Sequence, residues 1–170
     1  MIAISDAELS ARARRIRLVL TDCDGVLTDT GVYYSERGEE LKRFSLRDGM
    51  GVERLARAGV ASAIVTGETS PSVRRRADKL GMRLFLGVRD KGAHLPSILR
   101  ETGVSLPEVA YIGDDVNDLA IMLAVAEVGL TAAPADAVAD VLCAAHRRCE
   151  ARGGHGAFRD FADWILKLAS

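Results

Sequence analysis

Aromatic residues are scarce in this sequence. Phenylalanine, tryptophan and tyrosine make up 5% of it, too few for the stacking platform on which single-stranded nucleic acids are held. Net charge is nearly absent as well: 23 basic side chains meet 24 acidic ones and leave −1. Such a balance argues against nucleic acid or an anionic membrane as the main partner. No long apolar run is present. The longest, Leu119 to Ala126, falls far short of the roughly 20 residues that a membrane span needs. Met1 to Glu8 carries Asp6 and no apolar stretch of signal-peptide length, so a cytoplasmic location is expected. Cysteines number three, an odd count that closes no disulfide framework. Cys143, His146 and Cys149 lie close in sequence, but two thiols and one imidazole at this spacing are weak evidence for a metal cluster. Room is limited too. A chain of 170 residues makes one domain with a well-buried core and leaves no space for a large cap.

Apolar residues make up 48% and charged residues 28%, the profile of a folded globular domain. Ser5 and Glu8 form a capping-box pattern for a short first helix. Ile16 to Thr21 is mostly apolar, as expected of a strand buried on both faces. Val32 to Ser35 and Leu41 to Phe44, flanking Glu36 to Glu40, predict a small β-hairpin. Asp48 is placed to cap a helix with Val52, Leu55 and Ala56 on one face. A regular alternation follows. Strands are expected at Ala61 to Val65, Arg83 to Leu86, Val109 to Ile112, Val128 to Thr131 and Asp140 to Cys143. Helices are expected from Ser70-Pro71 to Leu80, from Lys91 to Glu101 and from Asn117 to Ala124. Phe158, Phe161, Ala162, Ile165 and Leu166 predict an amphipathic final helix. The pattern is α/β: a parallel sheet with helices on both faces.

Polar clusters fall just after the strands, where open parallel sheets bind their ligands. After the first strand comes Asp22-Cys-Asp24-Gly25-Val-Leu-Thr28. Two carboxylates so close repel each other unless a cation or a shared proton compensates, and Gly25 allows a sharp turn. After Val65 comes Thr66-Gly67-Glu68, with a hydroxyl and a backbone N–H suited to a phosphate oxygen. Lys91 opens a helix, where the helix dipole disfavours a cation, which marks it as a candidate functional charge. After Ile112 comes Gly113-Asp114-Asp115-Val-Asn117-Asp118. Three carboxylates there point to a hard cation with oxygen ligands, Mg²⁺ above all.

Asp-x-Asp, Thr, Lys and Gly-Asp-Asp in this order resemble the four motifs of the haloacid dehalogenase-like phosphohydrolases. In a response-regulator receiver Lys comes last, whereas here Lys91 precedes the acidic cluster. The hairpin at Val32, the segment Phe44 to Gly49 and the tail Arg152 to Arg159 extend the likeness to nearly the whole chain. They are similar to the capless subgroup that contains 3-deoxy-manno-octulosonate 8-phosphate phosphatase and its nonulosonate 9-phosphate relatives. This resemblance implies a Rossmann-like domain with a β-hairpin extension and no cap domain. It also implies Mg²⁺ dependence and a homotetramer with shared active sites, joined through the hairpins. By motif, Asp22 is the nucleophile and Asp24 the acid and base, while Thr66 and Lys91 hold the phosphoryl oxygens. The resemblance further implies that Mg²⁺ is held by Asp22, the Asp24 carbonyl and Asp114, with Asp115 and Asp118 in support.

The resemblance also bears on specificity. The eight-carbon phosphatases commonly have Arg after Thr-Gly, where Glu68 stands here. With Arg76 and Lys79 this is closer to the nine-carbon enzymes. Gly67, Glu68, Arg76 and Lys79 are therefore candidates for substrate binding, the last two across a subunit boundary. His155 or Arg159, in the glycine-rich tail, is a candidate to touch substrate or close the entrance. Two alternatives stand beside the phosphatase. One is a non-catalytic oligomerisation module, against which the intact acidic set argues. The other is a phosphotransferase or mutase, which usually needs a cap to exclude water.

Overall fold

The apolar runs form strands whose side chains are buried on both sides of one sheet. In the computed structural model, which describes residues 1–170, six strands lie parallel. They are β1 (Leu18–Thr21), β4 (Ala61–Val65), β5 (Arg83–Phe85), β6 (Val109–Ile112), β7 (Leu130–Ala133) and β8 (Arg147–Arg148), in the order β5-β4-β1-β6-β7-β8. β1 is central, with Thr21 level with Ile64 of β4 and Ile112 of β6. The C-terminal ends of these three strands therefore share one edge, and the connections run to both sides of β1 from there. A separate antiparallel hairpin, β2 (Val32–Ser35) and β3 (Gly38–Lys42), leaves the body between β1 and the helix that follows.

Alternation along the strands divides the core in two. Val19, Ile64, Ala110 and Ile112 belong to one cluster, and Leu18, Leu20, Ala63, Val65, Val109 and Tyr111 to the other. The period of two hides inside continuous apolar runs because both faces are covered. The first face is packed by α1 (Asp6–Ala13), α2 (Leu46–Arg57), α3 (Pro71–Leu80) and α7 (Ala157–Ala169). The second is packed by α4 (Lys91–Thr102), α5 (Leu119–Ala126) and α6 (Ala139–Cys143). Phe158 and Phe161 of α7 are fully buried, and each such side chain contributes about 2–3 kcal/mol by leaving water. No cap domain is inserted in the fold.

Several expectations are corrected. Asp140 to Cys143 lies in helix α6, and the last strand is Arg147–Arg148. Three apolar residues after an aspartate suit a short helix as well as a strand, and length does not separate the two. Ala56 faces solvent while Val52 and Leu55 are buried. The hairpin turn is tighter than expected, because β3 begins at Gly38. Asp48 does not cap α2. Ser45 does so, accepting from the Arg47 N–H at 3.1 Å. Asp48 lies in the first turn, buried, and its Oδ1 accepts the Arg159 N–H at 3.0 Å. Helix α7 has Gly156 at its own cap position and no side-chain cap, so Asp48 of α2 supplies the missing acceptor. Cys143, His146 and Cys149 do not form a metal cluster. Cys143 is exposed, buried Cys149 donates to the Ala157 carbonyl, and His146 Nδ1 is 3.1 Å from the Thr131 N–H.

Burial raises the Asp48 carboxyl to about 6, although α7 amides and Arg76 pull the other way. The folded protein thus holds this proton more tightly than the unfolded chain. The associated stabilisation is complete below about pH 4 and is lost as the pH rises through about 6. Asp48→Asn keeps an acceptor for Arg159 and removes the titration. From pH 4 to pH 7, urea melts should move the stability difference in favour of the variant by roughly 2–3 kcal/mol. A difference that stays constant with pH contradicts this account of the cap.

Candidate active site

The edge shared by β1, β4 and β6 carries the acidic motifs. The chain turns immediately after Asp22: the N–H groups of Val26, Leu27 and Thr28 all converge on the Cys23 carbonyl. Gly25 completes the turn at φ +92°, and a Cβ there would lie 1.8 Å from Asp114 Oδ2. Glycine is required for both reasons, because it alone tolerates this backbone and lets the second acidic loop approach. The nucleophile candidate is buried. Asp22 Oδ1 accepts the Cys23 N–H at 2.6 Å and lies 2.8 Å from Lys91 Nζ, which leaves Oδ2 for the cleft that Asp22 lines.

Lys91 is fully buried at the start of α4, whose cap is Asp90. Its ammonium contacts Asp22 at 2.8 Å and Asp118 Oδ1 at 2.6 Å. Buried Tyr111 donates to the same Asp118 oxygen at 2.6 Å, while Asp118 Oδ2 accepts the Asp114 N–H at 2.9 Å. Both oxygens of Asp118 thus have fixed partners, so Asp118 braces Lys91 and the Asp114 loop. Asp115 is exposed and its Oδ1 accepts the Val116 N–H.

Carboxylate oxygens of Asp22, Asp114 and Asp118 lie within 4.8 Å of one another, with one ammonium among them. Burial, then the charges of Asp22, Asp118 and Asp115, push Asp114 up to about 8. Burial and then Asp118 push Asp22 upward, against the pull of Lys91. Lys91 moves upward: burial lowers it, but Asp22 and Asp118 outweigh that. Asp114 Oδ1 is buried without a hydrogen-bond partner. An unpaired carboxylate oxygen beside two other carboxylates is a donor set for a hard divalent cation, so the residues fit the expected metal.

Around this cluster lies a cleft of about 390 Å³, lined by Asp22, Asp24, Thr66, Gly67, Glu68 and Asp114 among others. Six of the expected residues therefore share one cavity, and Lys91 sits against Asp22 beneath them. Thr30, Val116 and Asn117 also line it; Thr30 lies outside every motif, whereas Val116 and Asn117 belong to the acidic one. Arg76 and Lys79 do not line the cleft. Arg76 donates to the Ser45 carbonyl at 2.8 Å and lies 5.7 Å from the centre of the Phe44 ring, whereas Lys79 is exposed. The tail braces the site from behind. Gly154 N–H donates to the Val26 carbonyl, and a Cβ on Gly153 would meet the Gly25 carbonyl at 2.0 Å. His155 faces a separate pocket of about 580 Å³ with Arg43 and Arg152, and Arg159 pairs with Asp163 at 2.6 Å.

Lys42 is the residue that the sequence concealed. Its ammonium, from β3, lies 2.7 Å from both oxygens of Asp24, and Thr28 donates to Asp24 Oδ1 at 3.1 Å. A lone lysine in a charged hairpin carries no sequence signal for such a contact.

A parallel sheet with no cap, carrying a buried aspartate with one unpartnered oxygen beside an acidic cluster at the central strand ends, has the fold and the site of a haloacid dehalogenase-like phosphatase. Comparison with known proteins agrees, although no family model matches the chain. It is 39% identical over 160 residues to the 3-deoxy-D-manno-octulosonate 8-phosphate phosphatase KdsC of Haemophilus influenzae, covering 94% of this chain and 87% of that protein. The cobalt-bound structure of the H. influenzae phosphatase superposes with a TM-score of 0.88 at 38% identity, over 93% of this chain and 91% of that one. The Moraxella catarrhalis phosphatase, solved with magnesium ion, phosphate ion and KDO, gives 0.88 at 33% identity over 95% and 91%. The chain belongs to the KdsC family and is a phosphoric monoester hydrolase.

The acidic cluster sets a pH-dependent stability for the metal-free protein. Raised carboxylates stabilise the fold fully below about pH 4, and that contribution is lost as the pH rises through about 8. Chelated protein should show a falling Tm between pH 5 and pH 8.5. Added divalent cation should raise Tm more at pH 8.5 than at pH 5. An equal cation effect at both values contradicts the assignment of the cluster as the metal site.

Proposed function

We propose that the chain hydrolyses 3-deoxy-D-manno-octulosonate 8-phosphate, with Mg²⁺ as its cofactor, through an aspartyl-phosphate on Asp22. The observation that carries this reading is the state of Asp22: one oxygen is held by Cys23 and Lys91, and the other remains for the cleft. The names of the relatives and the contents of the M. catarrhalis structure support the substrate and the metal.

Asp22 Oδ2 attacks phosphorus in line as the bond from phosphorus to the sugar oxygen breaks. Asp24 gives its proton to that departing oxygen, then takes one from the water that attacks the phosphorylated Asp22. Inorganic phosphate leaves and the Asp22 carboxylate is restored. Thr66, the Gly67 N–H and Lys91 hold the phosphoryl oxygens as charge develops on them. Asp22, the Asp24 carbonyl and Asp114 would hold Mg²⁺, which supplies charge neutralisation between carboxylate and phosphate.

The sugar acid also carries a carboxylate, for which the acidic cleft offers no exposed cation among its lining residues. We assign its recognition to Arg76 and Lys79 of a neighbouring copy, Lys79 being the freer of the two. Tyr33, Tyr34 and Leu41 of the hairpin are each more than 60% exposed, a surface suited to joining copies into a homotetramer. We place the enzyme in the cytoplasm; its three cysteines are free, and no helix is long and apolar enough to cross a membrane. Glu68, exposed in the cleft, favours a second reading in which the substrate is a nine-carbon nonulosonate 9-phosphate.

A panel of both sugar-acid phosphates, assayed with Mg²⁺ and with chelator, decides between them. The eight-carbon ester should have the higher kcat/KM, and chelator should abolish turnover; a nine-carbon preference supports the second reading. Glu68→Arg should then raise the eight-to-nine-carbon preference, and an unchanged ratio removes Glu68 from specificity. Asp22→Asn should lower phosphate release by about 1,000-fold or more with the oligomer intact. Retained activity in that variant refutes the nucleophile.

A further inference from the structure

Asp24 has a partner that the reaction scheme leaves unused. Lys42 Nζ lies 2.7 Å from each Asp24 oxygen, and its side chain is 2% exposed. A buried ammonium is held only where its charge is matched and its donors are taken. Here the matching groups are Asp24, and Glu39 at 3.8 Å. Glu39 in turn accepts the hydroxyl of Ser70, the cap of α3, next to Thr66-Gly67-Glu68. Hairpin strand β3 thereby reaches two of the loops that line the cleft. The neighbouring Leu41 is exposed, so one strand carries both a buried functional charge and a surface apolar residue.

We infer that Lys42 is a positioning residue for Asp24, and that the hairpin is part of the active site rather than only a tether between copies. Gripping both oxygens, the ammonium fixes the plane of the carboxyl group. With Thr28 on Oδ1, it confines Asp24 to the mouth of the cleft, where a leaving sugar oxygen emerges. The inference rests on the acid and base role proposed for Asp24. It predicts a specific defect: loss of Lys42 impairs proton transfer to a poor leaving group and spares attack by Asp22.

The test compares single-turnover cleavage of a sugar-acid phosphate with that of p-nitrophenyl phosphate, whose leaving group needs little protonation. In Lys42→Gln the sugar ester should slow by about 10- to 100-fold at saturating substrate, with KM within about twofold. Release of p-nitrophenolate should stay within about threefold of wild type. Lys42→Arg should recover most of the loss, because it restores a charged donor. Ser70→Ala, which removes the hydroxyl that Glu39 accepts while keeping Lys42 and both of its charge partners, should not produce the same dependence on leaving group. Equal slowing on both esters, or the same pattern in Ser70→Ala, makes Lys42 a structural clamp and overturns the inference. Unchanged rates in Lys42→Gln overturn it as well. Should Lys42→Gln fail to fold, Lys42→Arg decides: its leaving-group dependence must match wild type. Failure of the substrate reading is seen separately, in the wild type, as preference for another alkyl phosphate; that ester then serves for the comparison.

Discussion

One buried ammonium set among three carboxylates is the constraint on which the rest depends. Lys91 cannot be held without Asp22 and Asp118, and its ammonium compensates the burial of both carboxyl groups. Tyr111 and the amides of the Asp114 loop complete the partners of Asp118. The match remains incomplete, because Asp114 is left buried with an orphaned oxygen. Such a site favours either protons or a cation, and a substrate phosphate adds further negative charge. The charge arrangement thus suits a divalent metal, and it leaves one oxygen of Asp22 without a protein partner.

The fold brings these groups together because β1 is central and its neighbours β4 and β6 end beside it. Each contributes one loop: Asp22 to Asp24 from β1, Thr66 to Glu68 from β4, and Gly113 to Asp118 from β6. Two glycines set how close the loops come. Gly25 admits Asp114, and Gly153 of the tail lies against the Gly25 carbonyl from the other side. The tail therefore packs against the turn that carries Asp22 and Asp24.

Much of this was legible in the sequence, because strand-end motifs are local. Asp22, Asp24, Thr66 and Asp114 each follow a strand that apolar composition marks, and the sheet carries them to one edge. Ser70-Pro71 to Leu80 was exact, since cap, proline and Gly81 delimit the helix. What escaped depends on distant pairing. Lys42 is polar in a polar hairpin, and only the folded chain brings it to Asp24, 18 residues away. Asp48 looks like a cap for its own helix, yet serves α7 because Gly156 has no side chain to offer. Arg76 and Lys79 share a helix face by spacing, but spacing does not tell that Arg76 is already bonded to Ser45. Asp140 to Cys143 reads as a strand yet folds as α6, because a run of that length fits either element.

The most direct test of the central claim is to look for phosphate on Asp22. Enzyme quenched in acid during turnover of a ³²P-labelled sugar-acid phosphate should carry an acid-stable, hydroxylamine-labile label. Peptide mapping should place that label on Asp22. Label on another residue, or turnover with no covalent label under rapid quenching, contradicts the assignment of Asp22 as nucleophile.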